Sequence, residues 1–445
     1  MKKILLFTLL MLVSFTYAGT ITSLGSGNWS AGGTWVGGSV PGDDDDVVIA
    51  AGHVVTVDTA DQCTSVTLNA STSTLTLNAN LTVTGNTTNA GTINVTSGNY
   101  ISTGASATFT NNKKLYVTAG YYLEMQGTSS TLTNNRDITT YATSALTARI
   151  IIRGTFSEDS GEDGTYARYV NGVGDAGTST GWDLIGAPTT DTSINSFTTS
   201  ENAGEIATSG SGVDILYGVG FYEGVDSDWE TYGGSNTENS IAVAGNFDTG
   251  KGYQMATDNG GVVEFTGTLH TGDTNQSIRS YDADGDGGSN GSRWDIVANP
   301  YMSFIRANDN ETANNVLTVN SGLLHLSNVA LYFWDGDSYV AVNHSSSSST
   351  YDYIAPMQGF LVAPKYTGSA VNFSFTKIMQ TTSGTDDAVL IQSDIQDPED
   401  NGELHLGISQ NEINRKTEIY FNDGGSDCID PGYDAAAFAT FATYL

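Results

Sequence analysis

Cysteine is nearly absent: Cys63 and Cys428 are the only two in 445 residues, at opposite ends of the chain. A disulfide-rich scaffold is therefore excluded, and with no CxxC, HExxH or Cys/His cluster a zinc module is excluded too. Proline is scarce, at 7, and cations are few, with Lys+Arg at 16 against 49 Asp+Glu. The resulting net charge of −33 repels phosphate backbones and anionic membranes, so nucleic acid is not expected as a partner. Divalent cations, cationic partners and neutral glycans stay open. Helical periodicity is hard to find after the first 18 residues. No segment holds the roughly 20 continuous apolar residues of a membrane helix.

What is present begins with Lys2 and Lys3, an apolar run from Ile4 to Phe15, and Thr16-Tyr17-Ala18. This is the layout of an export signal over 1–18, with small residues where a signal peptidase cuts. The expected location is secreted, extracellular or at the outer-membrane surface. Beyond it, β-branched and aromatic residues alternate with Gly, Thr, Ser and Asn, the pattern of an all-β chain.

Residues 19–150 carry short alternating triplets, among them Val66-Thr67-Leu68, Leu75-Thr76-Leu77, Leu81-Thr82-Val83, Ile93-Asn94-Val95 and Leu115-Tyr116-Val117. None could hold a sheet alone, but stacked coils would let each pair with the next and bury one continuous core. Asn and Thr suit the corners of such coils, because Asn tolerates the left-handed region and both bond locally to backbone. A right-handed β-helix able to fold on its own is expected here. Its start, Asn28-Trp29-Ser30, Thr34-Trp35, Pro41-Gly42-Asp43 and Asp46 to Ile49, resembles the cap and first coil of G8-type and related β-helix modules. The resemblance implies that Trp29 and Trp35 cover the open end of the column.

Residues 151–382 contain a duplication. Trp182-Asp183-Leu184-Ile185-Gly186-Ala187-Pro188 matches Trp294-Asp295-Ile296-Val297-Ala298-Asn299-Pro300 at an offset of 112. Phe221 to Gly224 matches Phe333 to Gly336 at the same offset, and Gly252 to Met255 matches Gly359 to Val362 at 107. Two β-sandwich modules are expected, at 151–275 and 276–382, with Trp182 and Trp294 buried in equivalent places. An incomplete β-rich module follows at 383–445.

Together with Met357-Gln358-Gly359-Phe360 and the Phe421 to Ala435 segment, these motifs resemble large exported surface proteins of Bacteroidota carried by the type IX secretion system. The C-terminal sorting domain of that family is not matched, and the sequence is expected to be a fragment or truncated product. The resemblance marks membership and implies no catalytic residues.

Polysaccharide lyases and hydrolases need clustered carboxylates, yet Asp and Glu are missing between Asp61 and Glu124. The coils are therefore not expected to be catalytic. Asp282, Asp284 and Asp286 alternate like a calcium loop, but its twelfth position, where a bidentate Glu belongs, is Arg293. Calcium is the one cofactor considered, against a solvated Asp/Gly turn. Trp229, Trp334 and Tyr339 stand in Asp/Gly contexts and are candidates either for stacking on sugar rings or for core packing. The expected function is that of an exported, non-enzymatic cell-surface or matrix protein in adhesion or glycan contact, with glycans or other surface proteins as partners. A polysaccharide hydrolase or lyase with its site in 151–382 and a purely structural spacer are the alternatives.

Overall fold

The computed structural model describes residues 18–159, 163–173, 181–283, 291–308, 313–334, 339–345 and 352–384, and the backbone of 403–410 and 413–420. The chain is all-β. A solenoid is built of three parallel stacked sheets, each strand pairing in register with its counterpart one coil later. The first face runs from Thr20–Thr22 to Thr155–Glu158, the second from Gly27–Asn28 to Gly164–Val170, and the third from Asp61–Cys63 to Arg149–Ile152. Alternation sends Val47, Val66, Leu75, Ile93 and Leu115 inward, where each is fully buried. Trp29 and Trp35 are buried at the first coil with ring centroids 5.1 Å apart at 77°, and the Trp35 indole N–H donates to the Trp29 carbonyl at 2.7 Å. Cys63 lies buried in the column, and that burial pushes its thiol up to about 12.

One inward column turns polar. Ile49 and Leu68 are followed in register by Asn89, Asn111, Asn134 and Glu158. The three asparagines are completely buried rather than placed at exposed corners. Each amide donates to the next side chain, Asn89 to Asn111 at 2.8 Å, Asn111 to Asn134 at 2.8 Å, and Asn134 to Glu158 at 2.6 Å. Asn89 and Asn111 also donate to the carbonyls of Lys114 and Asp137 in the next coil. A buried polar column is tolerated because its members satisfy one another.

Glu158 ends this ladder with its second oxygen buried and without a hydrogen-bond partner among the described residues. Burial pushes its carboxyl up to about 7, although the Asn134 bond pulls the other way. Its folded value lies above the ordinary 4.5. The stability it contributes is therefore fully present below about 4.5 and lost as the pH rises through about 7. Urea unfolding at about pH 5 and about pH 8 should show that loss, and Glu158→Gln should reduce it. An unchanged pH slope in the variant would contradict this role.

The stack continues past residue 150 because the modules complete it. Gly164–Val170 pairs parallel with the preceding coil and antiparallel with Gly261–Gly267 of the first module. The third face ends on the second module: Arg149 donates to the Thr382 carbonyl at 3.1 Å, and Arg153 to those of Lys377 at 3.1 Å and Gln380 at 2.8 Å. Strand edges that would otherwise stay open are thus covered. One continuous apolar core runs from Trp29 through the solenoid into the first module, while most of the second module has its own.

The two modules share a topology. In the first, Asp183–Ile185, Tyr253–Met255, Leu216–Glu223 and Asp228–Gly233 lie in that order in one sheet. In the second, Asp295–Ala298, Gly359–Val362, Leu331–Trp334 and Tyr339–Val342 repeat the order. The pair Gly164–Val170 and Gly261–Gly267 is echoed by Thr274–Ile278 and Val371–Phe375. At the C-terminal end of the described backbone, Glu403–Gln410 and Ile413–Tyr420 form an antiparallel hairpin. The Phe421 to Ala435 motif lies outside the described residues.

The modules meet as an isologous dimer would. Ile185 bridges Gln358 and Lys251 bridges Val297, a pair of contacts that exchange when the two copies are interchanged. The Gly186 N–H donates to the Met357 carbonyl at 2.8 Å, and its counterpart, the Ala298 N–H, to the Gly250 carbonyl at 2.9 Å. Both acceptor residues are left-handed, Gly250 at φ 85° and Met357 at φ 63°. Met357 pays the steric penalty of a non-glycine residue there, and its carbonyl still faces the other copy.

Candidate functional site

The seam between the modules gathers aromatic side chains from both. In the first copy Tyr222 and Trp229 are directly opposed across a hairpin, with rings 5.2 Å apart. In the second, Trp334 and Tyr339 are opposed in the same way at 5.0 Å. Tyr222 corresponds to Trp334, and Trp229 to Tyr339. All four are half-buried against a cluster of Leu184, Trp294, Ile296, Tyr332 and Leu361. The Tyr222 hydroxyl donates to Ser292 Oγ at 2.6 Å, tying the first hairpin to the second module. Burial raises the Tyr339 hydroxyl, with Tyr222 adding to the effect. The Trp334 indole N–H is buried with no acceptor among the described residues.

All three sequence-nominated aromatic residues therefore fall in one place, together with Tyr222, which sequence reasoning missed. Its signal was available, since Tyr222 aligns with Trp334 at the offset of the duplication. All four rings pack against the seam cluster and stay partly exposed.

The matched tryptophans differ. Trp294 is 6% exposed and packs edge-on against Tyr332 with centroids 4.7 Å apart. Trp182 is only half-buried. The position equivalent to Tyr332 in the first copy is Gly220, which offers no ring to cover Trp182.

The aspartates that follow these tryptophans are a feature the sequence reading did not single out. Asp183 accepts from the Asn171 backbone N–H and from its side-chain amide, both at 2.7 Å. Asp295 accepts from the backbone N–H groups of Arg279 and Ile296, both at 2.8 Å. Burial raises both carboxyls, Asp295 up to about 6. A raised carboxyl beside aromatic rings could serve as a general acid. Here, however, both oxygens of each are occupied, and the same work is done in each copy: fixing the segment that follows the module's first strand. Their pairing identifies them as anchors.

The calcium-loop residues divide. Asp282 is 4% exposed and its Oδ2 receives Arg293 Nε at 2.9 Å and Nη2 at 2.8 Å. Arg293 also donates to Asn328 at 3.2 Å. The cation at the twelfth position thus neutralises the first aspartate. Asp284 and Asp286 lie outside the described residues. Among the described residues, no group of three or more His, Cys, Asp or Glu is arranged to hold a metal ion, and no helix is long and apolar enough to cross a membrane.

Among protein families, a domain of unknown function, DUF8693, matches residues 223–445. Its boundary falls inside the first hairpin of the seam and takes in the whole second module. No curated protein and no solved structure matches the chain.

Proposed function

The chain belongs to the DUF8693 family, and from its architecture we propose an exported, non-catalytic surface or matrix protein that contacts glycans through the aromatic seam of its twin modules. The observation that carries this is the convergence of Tyr222, Trp229, Trp334 and Tyr339, each half-buried, on one seam. Such rings present flat apolar faces to sugar C–H groups, and a buried indole N–H without an acceptor is a hydrogen-bond donor for a hydroxyl. The nearby raised carboxyl, Asp295, is fully engaged with backbone, which favours binding over turnover. The solenoid then serves as a stalk capped by its binding modules.

Binding on a glycan array, followed by titration of intrinsic tryptophan fluorescence, tests this. Trp229→Ala, Trp334→Ala and Tyr339→Ala should each weaken the best glycan about tenfold, or about 1.4 kcal/mol. Wild-type protein that binds no glycan, or variants that bind as well as wild type, would refute it.

A further inference from the structure

The outer surface of the solenoid's first face carries a two-column array of hydroxyl side chains. Thr67, Thr88, Thr110, Thr133 and Ser157 are paired rung to rung in one column. Two positions earlier along their strands, Ser65, Thr108, Thr131 and Thr155 fill the second. Thr20 and Thr22 begin both columns on the first strand, and the departures are Asp46, Val48 and Asn86. Asp46 is bonded to Ser65 Oγ at 2.5 Å, and Asn86 to the Thr108 N–H at 2.9 Å. Some hydroxyls bond along the column, as Thr131 does to Thr155 at 3.0 Å and Ser157 to Thr133 at 3.2 Å.

Only the first face carries the array through to the last coil. On the second face Thr56, Thr74, Thr76, Thr92 and Thr139 share the outward positions with Val54, Asn94, Lys114, Tyr116 and Asp137, which interrupt both columns. On the third they include Gln62, Ile101 and Glu124. From the third coil, at Ser65 and Thr67, to the last, the outward positions of the first face carry no charge, on a chain whose net charge is −33. In-register side-chain ladders also favour a flatter sheet than an open, twisted one.

Identical rungs repeat at about 4.8 Å, and hydroxyls two residues apart on a strand lie about 6.7 Å apart. Only a ligand with its own two-dimensional repeat can use every rung of such a surface. A mineral lattice would call for charge on the face, and a crystalline glycan for aromatic platforms; from the third coil on the face has neither. A water lattice calls for evenly spaced hydroxyls with methyl groups between them, which is what threonine supplies. Hexagonal ice repeats its oxygens along the basal axes at nearly the rung interval. We propose that this face binds ice, through the Thr67 to Ser157 and Ser65 to Thr155 columns acting as one surface.

The test measures thermal hysteresis, crystal shaping and inhibition of ice recrystallisation by the full chain. Wild type should shape crystals and open a hysteresis gap. Thr110→Tyr with Thr133→Tyr should abolish it, and Thr110→Val with Thr133→Val should reduce it. Thr76→Tyr with Thr139→Tyr, on the second face, should leave it intact. Circular dichroism establishes that every variant keeps the wild-type strand content. A folded wild type without hysteresis or recrystallisation inhibition overturns the proposal, as do equal losses from both faces. Retention on crystalline cellulose or chitin through the same threonines, with no activity at ice, would assign the face to a glycan lattice and also overturn it.

Discussion

Replacing Trp294 by alanine should destabilise the protein by about 3–5 kcal/mol, whereas Trp182→Ala should cost roughly 1 kcal/mol. The two residues hold matched places in a duplicated motif, so sequence equivalence alone predicts equal losses. Packing decides otherwise. Trp294 is 6% exposed, lies edge-on to Tyr332, and shares the seam cluster with Leu184, Ile296 and Leu361. Its removal leaves a cavity between two sheets that are pinned by backbone hydrogen bonds and cannot easily collapse. Trp182 is half-buried, and Gly220 stands where Tyr332 would cover it. Guanidinium unfolding of the two variants measures the difference. Equal losses would mean that the seam contributes little and that both tryptophans serve only their own modules.

The second large effect is expected at the contact between the copies. A Cβ added at Gly186 would sit 2.4 Å from Ala298 Cβ and 3.1 Å from the Lys251 carbonyl oxygen. Gly186 and Ala298 are equivalent positions that face each other across the seam. Gly186→Ala should therefore cost about 1–3 kcal/mol by overpacking. Adding Ala298→Gly removes the closer clash and should restore most of the loss, because the pair has then merely exchanged sides. The interaction energy from the double-mutant cycle should be about as large as the single-mutant loss and opposite in sign. Additive losses would show that the two positions do not meet as described.

Much of this architecture is legible in the sequence because burial follows a period of two along each strand. Val66, Leu75, Leu81, Ile93 and Leu115 announce themselves in alternating triplets, and all five are fully buried. The duplication is equally plain, since offsets of 112 and 107 survive in sheets with the same strand order. The asparagine ladder was harder to read. Asparagine is ordinarily a turn residue, and only its spacing of 22 and 23 positions, one coil each, marks Asn89, Asn111 and Asn134 as a column. The isologous contact could not be read at all: an offset says which residues correspond, not that Ile185 meets Gln358 while Lys251 meets Val297. The work of Asp183 and Asp295 was hidden for a related reason, because their partners Asn171 and Arg279 lie in poorly matching segments before the motif. Among the candidate site residues, the aromatic set converged because its members are cross-strand partners in duplicated hairpins. Asp282 is paired with Arg293, eleven positions on, a contact that the alternation of aspartates did not announce.

Contact without turnover can be tested in a single mixture. The purified protein is incubated with a panel of soluble algal and plant polysaccharides, and bound polymer and released oligosaccharide are followed together by size-exclusion chromatography. At least one polymer should co-elute with the protein at undiminished length, and lose co-elution with Trp229→Ala or Trp334→Ala. Accumulation of shorter products, abolished by replacing a carboxylate within 151–382, would contradict it and assign the modules to catalysis.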